Sequence, residues 1–231
     1  MRKNYKNAKP TEGFKPKPIT WNRIPSQGGL VITGHRGEGK SALAWWLAQD
    51  IQSRTKPRKR VVALGTPDEA KKALPKRGVA HVKTVEEVAD LKPSIVILDE
   101  AAFLANSRRS QSTQNVMWLQ LIAICRHKGH LLIFINQHNR QLDIQILADA
   151  DYVIMKRPTV LHLRSCRAEF EPELKDAFAE FNKMTGNTKK KAYVVDYHSG
   201  NATMLSARMP TWWNDRVSKA YGAVSLTGAT A

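Results

Sequence analysis

Residues 30–50 read LVITGHRGEGKSALAWWLAQD. An apolar run, Leu30 to Thr33, enters a turn made of Gly34, His35, Arg36, Gly37, Glu38 and Gly39, and a helical pattern leaves it at Lys40 and Ser41. This is the pattern G-x-x-x-x-G-K-[ST], set between a strand and a helix as its chemistry requires. The glycines let the backbone curl until successive N–H groups point at β- and γ-phosphate oxygens, with the positive end of the helix beneath them. Lys40 is placed to reach those oxygens as a point charge, and Ser41 to offer its hydroxyl to Mg²⁺. His35, Arg36 and Glu38 fill the variable places, with side chains that face either phosphate or solvent. The ligand expected is ATP with Mg²⁺, gripped by residues 34–41.

Downstream, SIVILDE at residues 94–100 is a continuous apolar run ending in two carboxylates. Such a run suits a central parallel strand, whose C-terminal end is where these sheets bind ligands. Asp99 is expected to hold Mg²⁺ through water, and Glu100 to orient and deprotonate the water attacking the γ-phosphate. A switch GTPase would carry DxxG and NKxD, and neither pattern is present. A third run, LLIFINQ at 131–137, ends in Asn136 and Gln137. Gln137 is read either as a sensor of the γ-phosphate or as a polar cap on the strand end. Arg126 precedes this run, and Arg108 with Arg109 follow Glu100. In a ring, an arginine of one subunit reaches the neighbour's γ-phosphate and offsets transition-state charge. Arg126 is the candidate for that role; its other readings are nucleic-acid contact and plain surface.

Short apolar runs alternating with helical patterns indicate an α/β domain with a mostly parallel sheet flanked by helices. Strands are expected at 30–33, 61–64, 95–98, 131–135 and 152–155. Helices are expected at 40–52, 67–74, 85–91 and 113–127, the third opened by Thr84 and Glu87 and the fourth closed by Gly129. Further on, the pattern predicts a strand at 160–164, a helix at 169–184, a strand at 192–197 and a last helix at 211–220. Residues 1–28 carry seven Lys or Arg against Glu12, with prolines spread through them, and read as a basic arm outside the core. The ATPase core then covers 29–158, a small α+β extension 159–222, and a polar tail 223–231.

The chain has 231 residues, enough for one good-sized domain with extensions. Its 37 Lys and Arg outnumber 20 Asp and Glu, for a net charge of +17, whereas solubility asks for about 2 to 8. The surplus favours a polyanionic partner. RTKPRKR at 54–60 and Lys189 to Lys191 are either sequence-independent phosphate contacts or solvated loops. No run approaches the roughly 20 apolar residues of a membrane span, and no apolar stretch follows the basic N-terminus, so neither a transmembrane segment nor secretion is expected. Cys125 and Cys166 sit in apolar or strand-like contexts and read as reduced core residues. Trp212 and Trp213 read as packing anchors.

With GHRGEGKS, IVILDE and RHKGHLLIFINQ in this order, residues 29–156 resemble the FtsK/HerA superfamily of ring-forming DNA-pumping ATPases. Within it they look most like the small genome-packaging ATPases of tailless icosahedral viruses with an internal membrane. The resemblance implies a RecA-like P-loop NTPase fold of the ASCE division, with strand 131–135 between the loop strand and the acidic strand. It also implies a hexameric ring with ATP between subunits and double-stranded DNA through the centre. Lys40, Ser41, Asp99, Glu100 and Gln137 carry over directly; no motif aligns before Gly29 or after Pro158. The function expected is an ATP-hydrolysing translocase that packages a viral genome into a preformed capsid. It would work in the host cytoplasm and at the packaging vertex of the virion, where capsid vertex proteins are further candidate partners. Two alternatives stand beside it: a filamentous-phage assembly ATPase like the zonula-occludens-toxin family, and a non-motor, nucleotide-gated binding protein.

Overall fold

Ser94–Asp99 and Leu131–Ile135 are buried along their whole length, which a strand achieves only with layers on both faces. The computed structural model describes residues 18–66, 68–75, 78–99, 111–136 and 147–222. Among these, eight strands form one sheet: β1 (Gly28–Thr33), β2 (Arg60–Leu64), β3 (Val79–Val82), β4 (Ser94–Asp99), β5 (Leu131–Ile135), β6 (Tyr152–Met155), β7 (Lys191–Asp196) and β8 (Ala202–Ser206). Their order is β3-β2-β4-β5-β1-β6-β7-β8. Every pairing from β3 to β6 is parallel, and β7 and β8 add an antiparallel edge. β5 lies between β1 and β4, as the resemblance implies.

The helices are α1 (Lys40–Arg54), α2 (Asp68–Ala73), α3 (Val85–Ala89), α4 (Gln111–Lys128), α5 (Val160–Ser165), α6 (Glu171–Asn182) and α7 (Asp215–Gly222). Strand alternation splits the core into two layers. Val31, Val96, Leu98, Phe134 and Val153 meet α3, α4 and α6 through Val88, Leu121 and Phe181. Leu30, Ile32, Ile97, Ile133 and Ile154 meet α1 through Leu43, Trp45, Leu47 and Ile51. Trp45 stacks edge-on to Trp212 at 5.8 Å between ring centres, so the C-terminal tryptophans are packing anchors. Thr84 opens α3 by accepting the Glu87 N–H at 3.3 Å, and Gly129, with φ +68°, ends α4.

Three expectations are corrected. Residues 160–164 form helix α5, not a strand. Thr159 accepts the His162 N–H while His162 Nδ1 accepts the Thr159 N–H, a reciprocal cap that outweighs the apolar alternation. Val160 and Leu161 are 50% and 72% exposed, and the segment turns His162, not these apolar residues, inward. Residues 19–24 belong to the core and not to an arm outside it. Ile19, Trp21 and Ile24 are buried against α1, and Arg54 donates to the carbonyls of Trp21, Asn22 and Ile24 at 2.7–3.2 Å. The basic run 54–60 is accordingly not all available to phosphate. Arg54 is committed to that clamp, and Lys59 donates to the carbonyls of Ser26 and Gly129.

Candidate nucleotide site

β1 delivers the chain to Gly34 at the C-terminal edge of the sheet, where only glycine fits. Its φ is +135°, and a Cβ there would fall 2.6 Å from the Lys156 carbonyl oxygen. At the other end of the loop Gly39 takes φ +83° as the N-cap of α1, with no side chain capping the helix. The first turn of α1 contains no acidic residue, so its amides and dipole present a positive end to the loop.

Lys40 is 5% exposed, and its ammonium donates to the carbonyls of Gly34 at 2.8 Å and His35 at 3.0 Å. Burial pushes this ammonium down to about 8, and the negative charges of Asp99 and Glu38 oppose the shift. Ser41 Oγ donates to Asp99 Oδ2 at 3.0 Å, which joins the first turn of α1 to the end of β4. Asp99 is 7% exposed. The hydroxyl and the carboxylate are hard oxygen donors side by side, a set that fits Mg²⁺, which takes one or two protein oxygens and fills the rest with phosphate and water. His35 and Arg36 are exposed, and Glu38 is half-buried.

Asn136, which the sequence sets with Gln137 at the end of the third apolar run, lies at the same edge of the sheet. Asn136, one place beyond β5, is fully buried between the ends of β4 and β1, and its N–H donates to the Ile32 carbonyl at 2.9 Å. Among the described residues neither Oδ1 nor Nδ2 of its amide has a hydrogen-bond partner. A buried amide left so costs about 1–3 kcal/mol per group. The signal in the sequence was the first polar residue after an unbroken apolar strand.

Arg126 is not at this edge. It sits near the end of α4, four residues before His130, whose carbonyl accepts the Gly28 N–H at the opposite end of β1. The six residues of β1, at about 3.3 Å each, separate that edge from the loop by roughly 20 Å. Arg126 pairs with Asp149 at 2.9 Å and stays 68% exposed. With Arg23, Gln27, Tyr152 and His198 it lines a cleft of about 380 Å³. Glu100, Gln137, Arg108 and Arg109 lie outside the described residues. The structure therefore brings Gly34 to Ser41 together with Asp99 and Asn136, and sets Arg126 apart from them.

No family model matches this chain, and no curated protein does. Solved structures do. The genome packaging NTPase B204 of Sulfolobus turreted icosahedral virus 2, in complex with AMPPCP, superposes with a TM-score of 0.57 at 15% identity, over 80% of this chain and all of that one. B204 of Sulfolobus turreted icosahedral virus, a DNA-packaging ATPase, gives 0.56 at 15% identity over the same shares. The cytoplasmic domain of the Thermomonospora curvata type VII secretion ATPase EccC gives 0.50 at 14% identity, over 80% of this chain and 24% of that one. Among the described residues no helix is long and apolar enough to cross a membrane. Glycine loop, acidic strand and strand order together give this chain the α/β P-loop NTPase fold that it shares with these ATPases.

Proposed function

We propose that this chain is an ATP-hydrolysing translocase of double-stranded DNA that packages a viral genome into a capsid, working as a ring of identical subunits. The observation that carries the reading is the division of the chemistry between two edges of one sheet. Lys40, Ser41 and Asp99 converge at one edge, while Arg126 lies exposed at the other. An arginine so far from its own loop serves a nucleotide only in the next subunit, and a head-to-tail repeat of that contact closes a ring.

In this reading the amides from Gly34 to Ser41 bind the phosphates, and Lys40 exchanges two loop carbonyls for phosphate oxygens. Ser41 and Asp99 would hold Mg²⁺, which would supply charge neutralisation to the bound phosphates. Glu100, one residue beyond Asp99, takes the proton of the attacking water. Asn136 and Gln137 sense the γ-phosphate from the end of β5, and the neighbour's Arg126 meets the charge that develops on it. The net charge of +17 suits a partner gripped through its phosphates without regard to sequence. The likeness to a DNA-packaging ATPase supports that partner, and with it work in the host cytoplasm and at a capsid vertex.

The test is particle mass by light scattering together with ATPase rate, with and without duplex DNA. A ring whose turnover rises with DNA is expected. A monomer indifferent to DNA would return the chain to the non-motor alternative.

A further inference from the structure

At the loop edge of the sheet β6 ends, β7 begins and β8 ends, with Met155 paired to Tyr193 and Lys191 to Ser206. The residues at these strand ends are basic: Arg157, Lys189, Lys190, Lys191 and Arg208. Lys191 is half-buried and the other four are exposed. Among the described residues none of the five takes part in an ion pair, although other surface lysines do find carboxylates, as Lys175 does Glu171 and Lys183 does Glu180. The main chain beneath the three lysines is held at every carbonyl. Lys156, 1% exposed, donates from its ammonium to the carbonyls of Lys189 and Lys191 at 2.6 Å each, and the Ala207 N–H donates to that of Lys190 at 2.8 Å.

The same buried lysine touches the nucleotide loop. Its N–H donates to the Thr33 carbonyl at 2.8 Å, and a Cβ on Gly34 would fall 2.9 Å from its own Cβ. One residue on, the Arg157 carbonyl accepts the His35 N–H at 3.3 Å. Burying an ammonium costs more than burying an apolar chain of its length, so packing alone does not call for a lysine here. A corner of uncompensated positive charge on an anchored main chain suits phosphates gripped without regard to sequence. We propose that Arg157, Lys189, Lys190 and Arg208 form a contact for the backbone of duplex DNA, and that Lys156 is the positioning residue linking this contact to nucleotide binding at the loop. The inference rests on the reading of the chain as a DNA translocase and deepens it by naming the surface that holds the duplex.

Fluorescence anisotropy of a labelled duplex of about 30 base pairs, titrated with the full chain at several salt concentrations, tests the surface. Lys189→Gln/Lys190→Gln is expected to lower the log–log salt slope by up to about 1.8, about 0.9 for each phosphate released. Lys83→Gln/Lys92→Gln removes the same charge from exposed positions on the β3 side of the sheet and is expected to keep the native slope. Equal slopes for the two double variants overturn the proposal, and so does polyglutamate displacing the duplex as well, charge for charge, as unlabelled duplex does. A native protein that binds no duplex removes the DNA reading itself; one that binds it no better than Lys189→Gln/Lys190→Gln removes only this surface. For the link, saturating magnesium AMPPCP is expected to change native duplex affinity at least about threefold, and duplex to change AMPPCP affinity by the same factor. In Lys156→Met, with AMPPCP shown by calorimetry to be bound, that factor is expected to fall close to one. A native factor of one, or a factor that Lys156→Met keeps as a purely structural lysine would, overturns the link. Should that variant fail to fold or to bind AMPPCP, the factor is measured on Lys189→Gln/Lys190→Gln, where a native value overturns the link equally.

Discussion

Asn136 separates stability from activity at the scale of one side chain. Its amide is enclosed and unsatisfied among the described residues, so replacing it by Leu removes a desolvation penalty and, in the proposed function, the polar group that senses the γ-phosphate. Asn136→Leu is expected to raise the unfolding free energy by about 1 kcal/mol in a urea titration and to cut ATP turnover at least about tenfold. A variant both less stable and fully active would make the amide an ordinary strand cap. Glu100→Gln is expected to bind ATP and hydrolyse it at least about a hundredfold more slowly, as loss of a general base does. Single-turnover kinetics at native speed would remove Glu100 from the chemistry. Of these residues, the loop and Asp99 were legible in the sequence because their pattern is contiguous. Lys156 was not, since it reaches Gly34 only through the pairing of β6 with β1.

At the scale of elements, β1, β4, β5 and β6 were legible because a strand buried on both faces writes itself as an apolar run. β3 and β8 were not, because outer strands are only partly buried and carry His81, Thr203 and Ser206. α5 was misread because a cap set by a hydroxyl at Thr159 leaves no periodic signal in six residues. The lower edge of the sheet holds a titrating group. His130 is fully buried, and its Nδ1 accepts the Ser94 N–H at 2.9 Å, joining β5 to β4. Burial, then the charge of Lys59, holds the imidazole below its ordinary 6.5. The unfolded chain takes the proton more readily, so this contribution to stability is complete above about pH 6.5 and is lost as pH falls through the folded value. His81, also lowered by burial, acts in the same direction. The urea midpoint is expected to fall between pH 7.5 and 5.5, and to fall less in His130→Gln. A midpoint that rises on acidification would contradict the sign.

At the scale of the molecule, the net charge of +17 is unevenly spread along the chain. Residues 1–17 carry six Lys and Arg against Glu12, and the core begins to be built at Ile19. Removing 1–17 is expected to leave the thermal transition in place while flattening the salt dependence of DNA binding, by about 0.9 in log–log slope for each phosphate the segment neutralises. Removing 1–28 would take Ile19, Trp21 and Ile24 with it, and is expected to destabilise the fold. An unaltered slope after the shorter cut would make the segment an assembly element.

The measurement that goes most directly to a nucleotide site shared between subunits is ATPase activity in mixtures of Lys40→Ala with Arg126→Ala. Each variant alone is expected to be inactive. An equal mixture restores activity at interfaces that pair an intact loop with an intact arginine, about a quarter of them in a randomly assembled ring. Mixtures as inactive as their components would contradict the shared site.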